Sequence, residues 1–158
     1  MRARRSLLAL RGFLVCAPLG IAGCHITLLS DYDEVFDQEA TNTQKDVDAL
    51  FQKIIDNPDK TRPESTAETY AADKDAYAKI RTELDALSVR AQAHQHNENT
   101  ITSVGKITNS FAVVEEEHKN KPSLHIEAAR GELKLMNQEF VALIKEELLK
   151  KQSAGGTN

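Results

Sequence analysis

An all-α fold, an antiparallel three- to four-helix bundle, is predicted for residues 31–151, and three observations predict it. Apolar residues recur at alternating spacings of four and three in four separate stretches, which places them on one face of a helix. Short polar segments divide these stretches, carrying Pro58, Pro63 and Pro122 and the run His94 to Asn99. No stretch shows the strict apolar–polar alternation of a half-buried strand, and there is no internal repeat. Amphipathic helices joined by short turns pack as antiparallel neighbours.

The first 23 residues stand apart from this body. Arg2, Arg4 and Arg5 make a basic start, Leu7 to Ala22 are mostly apolar, and the small residues Ala22 and Gly23 close the run. That is the order of a secretory signal peptide, removed in the mature chain. The apolar run is shorter than the ~20 residues a membrane-spanning helix needs. Ala3-Arg4-Arg5-Ser6-Leu7-Leu8 also loosely resembles a twin-arginine export motif, although a plain basic start explains it more simply. Residues 24–30 form a short tether, apolar from Ile26 to Leu29.

The first helix has Ser30 or Asp31 as its expected cap, with Asp33 and Glu34 in the first turn, where the helix dipole favours negative charge. Its stripe is Tyr32, Phe36, Ala40, Thr43, Val47, Leu50 and Ile54, and Asn57-Pro58 ends it. Residues 57–64 read as a turn. Ser65 and Glu68 form a capping-box pattern for the second helix. Its stripe is Tyr70, Tyr77, Ile80, Leu84, Leu87, Ala91 and His94, and charged residues fill its outer face. The weak helix formers from His94 to Asn99 make a turn or kink. The third helix carries Ile101, Val104, Thr108, Phe111, Val114 and His118, with Gly105 weakening it locally and Asn120-Lys121-Pro122 stopping it. Ser123 is the expected cap of the fourth. Its stripe is Leu124, Ala128, Ala129, Leu133, Met136, Phe140, Leu143 and Leu148, widened by Leu135, Val141 and Ile144. Lys145, Lys150 and Lys151 fall near its end, as the dipole favours. Residues 152–158 are expected to be a disordered tail. A helix of about 25 residues is roughly 38 Å long, so the body is a slender rod.

Charge and cysteine usage exclude several functions. Four of the 20 basic residues precede Cys24 and all 24 acidic ones follow it, so the chain from Cys24 onward carries −8 against −4 for the whole. So acidic a chain is a poor ligand for nucleic acid and is repelled by anionic membrane surfaces. The chain has two cysteines, and Cys16 leaves with the signal peptide. Cys24 then has no partner for an intramolecular disulfide, which leaves lipidation, a free thiol or a disulfide between chains.

Ile21-Ala22-Gly23-Cys24 resembles the lipobox of bacterial lipoproteins, in which an aliphatic and two small residues precede the modified cysteine. The resemblance implies diacylglycerol addition to the Cys24 sulfur, cleavage between Gly23 and Cys24, and often acylation of the new amine. Two or more acyl chains give stable attachment, each buried methylene contributing about 0.8 kcal/mol. His25 stands where an Asp would retain enteric lipoproteins in the inner membrane, which favours the outer membrane, facing the periplasm, in a Gram-negative host. Asp31-Tyr32-Asp33-Glu34, Asp37, Ala40-Thr41 and Gln44, with Asn97-Glu98-Asn99-Thr100 and Glu117-His118, are similar to small uncharacterised helical lipoproteins of Gram-negative bacteria. That resemblance implies a fold and a location but no activity. Helix packing and the dipole account for the same residues.

Chemistry-bearing patterns are sparse. Glu115 and His118 have the Glu-x-x-His spacing of carboxylate-bridged di-metal bundles, yet no second such pair occurs. His94, His96, His118 and His125 are the candidate metal ligands, near expected helix ends. The competing reading makes them surface histidines. No Gly-x-Ser-x-Gly elbow or Gly-rich phosphate loop is present, and the helical carboxylates are expected to face outward. The expectation is a membrane-anchored envelope lipoprotein that presents a helical bundle to a partner protein, with no catalysis, no cofactor and a homo-oligomer possible. The alternative is a periplasmic metal or small-ligand binder.

Overall fold

The computed structural model describes residues 30–155. The expected signal peptide, the Gly23–Cys24 junction, the tether as far as Leu29 and residues 156–158 lie outside them. Within them run α1 (Glu34–Ile55), α2 (Tyr70–Ala93), α3 (Glu98–Asn120) and α4 (Ile126–Gly155). Each helix packs on two neighbours, in the order α1–α2–α3–α4 and back to α1. Ion pairs and hydrogen bonds join the start of one helix to the end of its neighbour. Asp33 meets Arg90, Lys53 meets Asp73, Tyr70 meets Glu115, and Thr100 meets Glu146. The expected all-α antiparallel bundle is therefore the fold, with four helices.

The helix boundaries depart from the expected caps for tertiary reasons. Asp33, not Ser30 or Asp31, caps α1, its carboxylate accepting from the backbone N–H groups of Val35 and Phe36 at 3.0 and 3.2 Å. Ser65 does not cap α2, which starts five residues later at Tyr70 after Thr69, with no side-chain cap bond. The 57–69 segment docks instead on the α3–α4 link. The Thr66 N–H donates to the Leu124 carbonyl at 2.9 Å, and the Ile126 N–H to the Glu64 carbonyl at 2.9 Å. Ser65 and His125 form an antiparallel bridge. Ser123 likewise does not cap α4, whose first carbonyl acceptor is His125, bonded by the Ala129 N–H at 3.0 Å. At the far end α4 continues through Gly155, so residues 152–155 are helix and not tail.

The break between α2 and α3 falls where weak helix formers predicted it. His96 takes φ 56, a left-handed conformation that His tolerates better than most side chains, and the chain reverses there.

Side chains facing the centre keep the alternation of three and four along every helix. In α1 they are Phe36, Ala40, Thr43, Val47, Leu50 and Ile54, as expected from sequence, joined by Phe51 and Ile55, which were not expected, while Tyr32, expected at the head of the stripe, precedes the helix and is only partly buried. In α2 the stripe also takes in Asp73, between Tyr70 and Tyr77. In α3 the buried position is Ile107, not Thr108, whose hydroxyl donates to the Val104 carbonyl at 2.9 Å. In α4 the stripe continues from Met136, Phe140 and Leu143 to Glu147 and Lys150. Leu148 is 43% exposed, and Leu135 and Val141 are 44% and 50% exposed, so none of the three joins the core. A stripe repeating every 3.5 residues is the coiled-coil pattern, and it selects Glu147 over Leu148 by position alone.

Removing a large side chain from the middle of this core leaves a cavity that rigid helices cannot close. Phe111→Ala is expected to destabilise the fold by about 3–5 kcal/mol in urea denaturation. Val113→Ala, on the outer face of the same helix, should change it by less than about 0.5 kcal/mol.

Candidate functional site

Apart from Thr43, midway along α1, whose hydroxyl donates to the Glu39 carbonyl at 2.9 Å, polar side chains in the core positions gather at the two ends of the bundle. At one end meet the start of α1, the end of α2, the start of α3 and the end of α4. The Lys150 ammonium is buried there and donates to Asn97 Oδ1 at 2.6 Å, Thr100 Oγ1 at 2.8 Å and Glu147 Oε1 at 2.6 Å. Three donors thus have three acceptors. Asn97 Nδ2 donates to the Ala91 carbonyl at 2.8 Å, and the Ser30 hydroxyl donates to Asn97 Oδ1 at 2.9 Å. The residue that leads into α1 is thereby tied to the α2–α3 link. Burial pushes the Glu147 carboxyl up, and Lys150 offsets this only in part.

Beside this network Asp33 serves two purposes. It caps α1 and also receives Arg90 Nη2 at 2.9 Å and His94 Nε2 at 3.1 Å. The Arg90 hydrogen bond is the main cause that holds its pKa down at about 2, helped by the Phe36 N–H and His94 against the cost of burial.

At the other end the cluster is built from α2 and α3. His118 is fully buried, contrary to the expectation of a surface or ligand histidine. Its Nε2 lies 3.2 Å from the Glu68 carbonyl, which can only accept, so Nε2 carries the proton. Nδ1 then accepts from the Tyr77 hydroxyl at 3.1 Å. Tyr77 is pushed well above its ordinary pKa, first by burial and then by the charges of Asp73 and Glu115. Tyr70 and Phe111 stack around Tyr77 with ring centroids 5.5 Å away. Glu115, also buried, receives Tyr70 Oη at 2.9 Å and pairs with Arg81, and Lys119 Nζ lies 3.5 Å off. Burial pushes the Glu115 carboxyl up, but Arg81, Tyr70 and Lys119 outweigh it and hold its pKa below the ordinary value. Asp73 is 2% exposed, with one oxygen on Lys53 at 2.7 Å and the other buried without a partner among the described residues.

The expected metal ligands are not brought together. His94 and His96 lie at the Lys150 end, and His118 and His125 at the other. The 23 residues of α3 separate the pairs by roughly 35 Å at 1.5 Å per residue. Glu115 and His118 share a face as their spacing requires, but Arg81 and Tyr70 occupy the carboxylate, and both ring nitrogens of His118 are engaged. Among the described residues no group of three or more His, Cys, Asp or Glu is arranged to hold a metal ion. Sequence reasoning also placed helical carboxylates outward, whereas Asp73, Glu115 and Glu147 are buried. The signal for Asp73 and Glu147 was present: Asp73 stands three residues after Tyr70 and four before Tyr77, and Glu147 stands four after Leu143. Cys24 lies outside the described residues.

On the α1/α4 side, sharing no residue with either cluster, is an open and largely apolar groove of about 630 Å³ between the end of α1 and the first half of α4. Comparison with protein-family models, curated proteins and solved structures finds no match to this chain.

Breaking the buried pair from one side leaves a carboxylate in the core without its cation. Lys150→Met is expected to cost about 3–5 kcal/mol, and adding Glu147→Leu should restore most of it, both read by urea denaturation. Because the folded pKa of Asp33 lies below its unfolded value, its contribution is complete above about pH 4 and drains away as pH falls toward about 2. Asp33→Asn should therefore lower stability at pH 7 and flatten the acid limb of a stability–pH curve in that window.

Proposed function

We propose that this chain is a lipid-anchored protein of the bacterial envelope, held by acyl chains on Cys24 and presenting its helical bundle to a partner protein without catalysis. The observation that carries the reading is Cys24 itself. It follows a basic start, an apolar run and Ile21-Ala22-Gly23, and it stands six positions before Ser30, the first described residue. Ser30 and Asp33 sit at one end of the bundle, so an anchor at Cys24 would hang the rod by that end. The net charge of −8 from Cys24 onward argues against electrostatic attachment to an anionic leaflet as a substitute. No helix among the described residues is long and apolar enough to cross a membrane. The polar clusters support a structural role, since their members are committed to one another. His25 after the cysteine favours the outer membrane, facing the periplasm.

Mass spectrometry of the N-terminal peptide from the membrane fraction is expected to show cleavage before Cys24 and two or three acyl chains on it. Cys24→Ser should remain uncleaved and unacylated. A wild-type chain that keeps residues 1–23, or starts at an unmodified Cys24, would refute the anchor.

A further inference from the structure

We propose that the outer face of α4 is a membrane-contact surface, along which the anchored bundle lies on a zwitterionic phospholipid leaflet. The inference rests on the acyl anchor at Cys24, and it adds which side of the bundle meets lipid and which is left for a partner. Every exposed residue of α4 from Gly131 to Gln152 is apolar, glycine, glutamine or lysine, and none is acidic. Of the seven large hydrophobic side chains exposed among the described residues, four stand on this face: Leu135, Val141, Leu148 and Leu149. Leu135, Ala142 and Leu149 repeat every seven residues, and so do Lys134, Val141 and Leu148. Two adjacent rows therefore run along one side of the helix, with Lys145 between them. From Gly131 to Gln152 the face is about 32 Å long at 1.5 Å per residue.

The carboxylates near this face are turned off it. Glu139 and Glu146 reach toward α3, 4.0 Å from Lys106 Nζ and 2.9 Å from Thr100 Oγ1, and Glu132 stands seven residues before Glu139 on the same flank. Glu147 is buried in the core. Glu127 bounds the face at its start and is paired with Arg130 at 2.6 Å. On the α1 flank Asp48 is held by Asn137 Nδ2 at 2.7 Å, and Asp56 lines the groove. Aliphatic side chains enter the boundary between headgroups and acyl chains, and lysine stems carry their ammonium groups back to the phosphates. The anchor brings that boundary to this face. Six residues from Cys24 to Ser30 reach about 20 Å when extended. Ser30 bonds Asn97, which also receives Lys150 of α4, so the chain enters beside the end of the face. Lipid held there has a far higher effective concentration than a free partner, so a modest apolar contact suffices. The net −8 from Cys24 onward opposes an anionic leaflet, which leaves neutral headgroups. The helix diagonal to α4 is α2, since α4 packs on α1 and α3. Its outer side then faces away from the bilayer, toward a partner.

The chain contains no tryptophan, so single substitutions report lipid contact directly. Leu135→Trp and Leu149→Trp place an indole toward each end of the face. Val89→Trp places one on the outer side of α2, near the anchored end, where Val89 is 70% exposed. The full acylated chain, one copy per nanodisc, is compared in phosphatidylcholine and in phosphatidylcholine brominated on its acyl chains. Bromine is expected to quench both α4 indoles about twofold or more and to leave the α2 indole unchanged. Adding Val141→Asp and Lys145→Glu to the Leu135→Trp chain should abolish the quenching, with circular dichroism showing the bundle still folded. Quenching at Leu149→Trp without quenching at Leu135→Trp describes a rod standing on its anchored end and overturns the proposal. So does quenching of Val89→Trp equal to that of the α4 indoles, or α4 quenching that survives the added substitutions. Indoles on α4 that bromine does not reach, but whose emission shifts to the blue when two chains share a disc, give the face to a second copy and also overturn it. Mass spectrometry of the same discs judges the anchor separately. A chain without acyl groups on Cys24 removes the reading on which the proposal rests, whereas an acylated chain with unquenched α4 indoles removes the proposal alone.

Discussion

A helical stripe that alternates three and four residues does not stop where its apolar members stop. In α4 the turns after Leu143 still face the centre, and the residues that stand there are Glu147 and Lys150. Taking two charges out of water costs several kcal/mol each unless every donor and acceptor finds a partner. The partners can come only from neighbouring helices, and Asn97 and Thr100 supply them. The same requirement acts at the opposite end, where His118, Glu115 and Asp73 occupy core positions of α3 and α2 and draw on Tyr77, Arg81, Tyr70 and Lys53, with one Asp73 oxygen left unpartnered among the described residues. Apolar stripes alone permit a helix to slide by a turn against its neighbour. Directional bonds at both ends do not, so the polar layers set the register that the apolar middle stabilises.

This division of labour leaves the outer surface free to carry function. The chain enters the bundle through Ser30 and Asp33, each bonded to the α2 end or the α2–α3 link. In the proposed reading the anchored end is therefore also the end where Asp33 and Lys150 bond neighbouring helices together, and a pull on the tether is shared among them. The opposite end is closed by backbone hydrogen bonds between the 57–69 segment and the α3–α4 link. The α1/α4 flank between them carries the open groove, floored by Ile55 and Leu133.

Much of the fold was legible because its period was legible. Most apolar members of the four stripes and the breaks at Pro58, at His94 to Asn99 and at Pro122 are readable without coordinates, although Phe51, Ile55 and Ile107 were not named and Ala128 and Leu148 face outward. What was missed has a common cause. Asp73 and Glu147 were read by residue type, as carboxylates that belong outside, and Lys150 as a cation favoured by the helix dipole, when their spacing from Tyr77 and Leu143 already placed them inside. His118 was put in the right stripe but given a ligand's role, because its partners Tyr77 and Glu68 are 41 and 50 residues away. Ser65 failed as a cap since Thr66 and Glu64 pair with the α3–α4 link, a tertiary contact that no local pattern records. The groove was invisible for the same reason: its floor joins α1 to α4, and only Val141 hinted at it, as an aliphatic beyond the needs of the core.

The central claim is that the polar layers bind the ends of the bundle into one cooperative unit with its middle. Native-state amide hydrogen exchange tests this most directly, residue by residue. The account predicts that the Val104, Glu147 and Lys150 amides, at the Lys150 end, exchange with the same free energy as the Phe111 amide in the middle, equal to that of global unfolding. Exchange at the Lys150 end through an opening several kcal/mol cheaper, with Phe111 still protected, would contradict it.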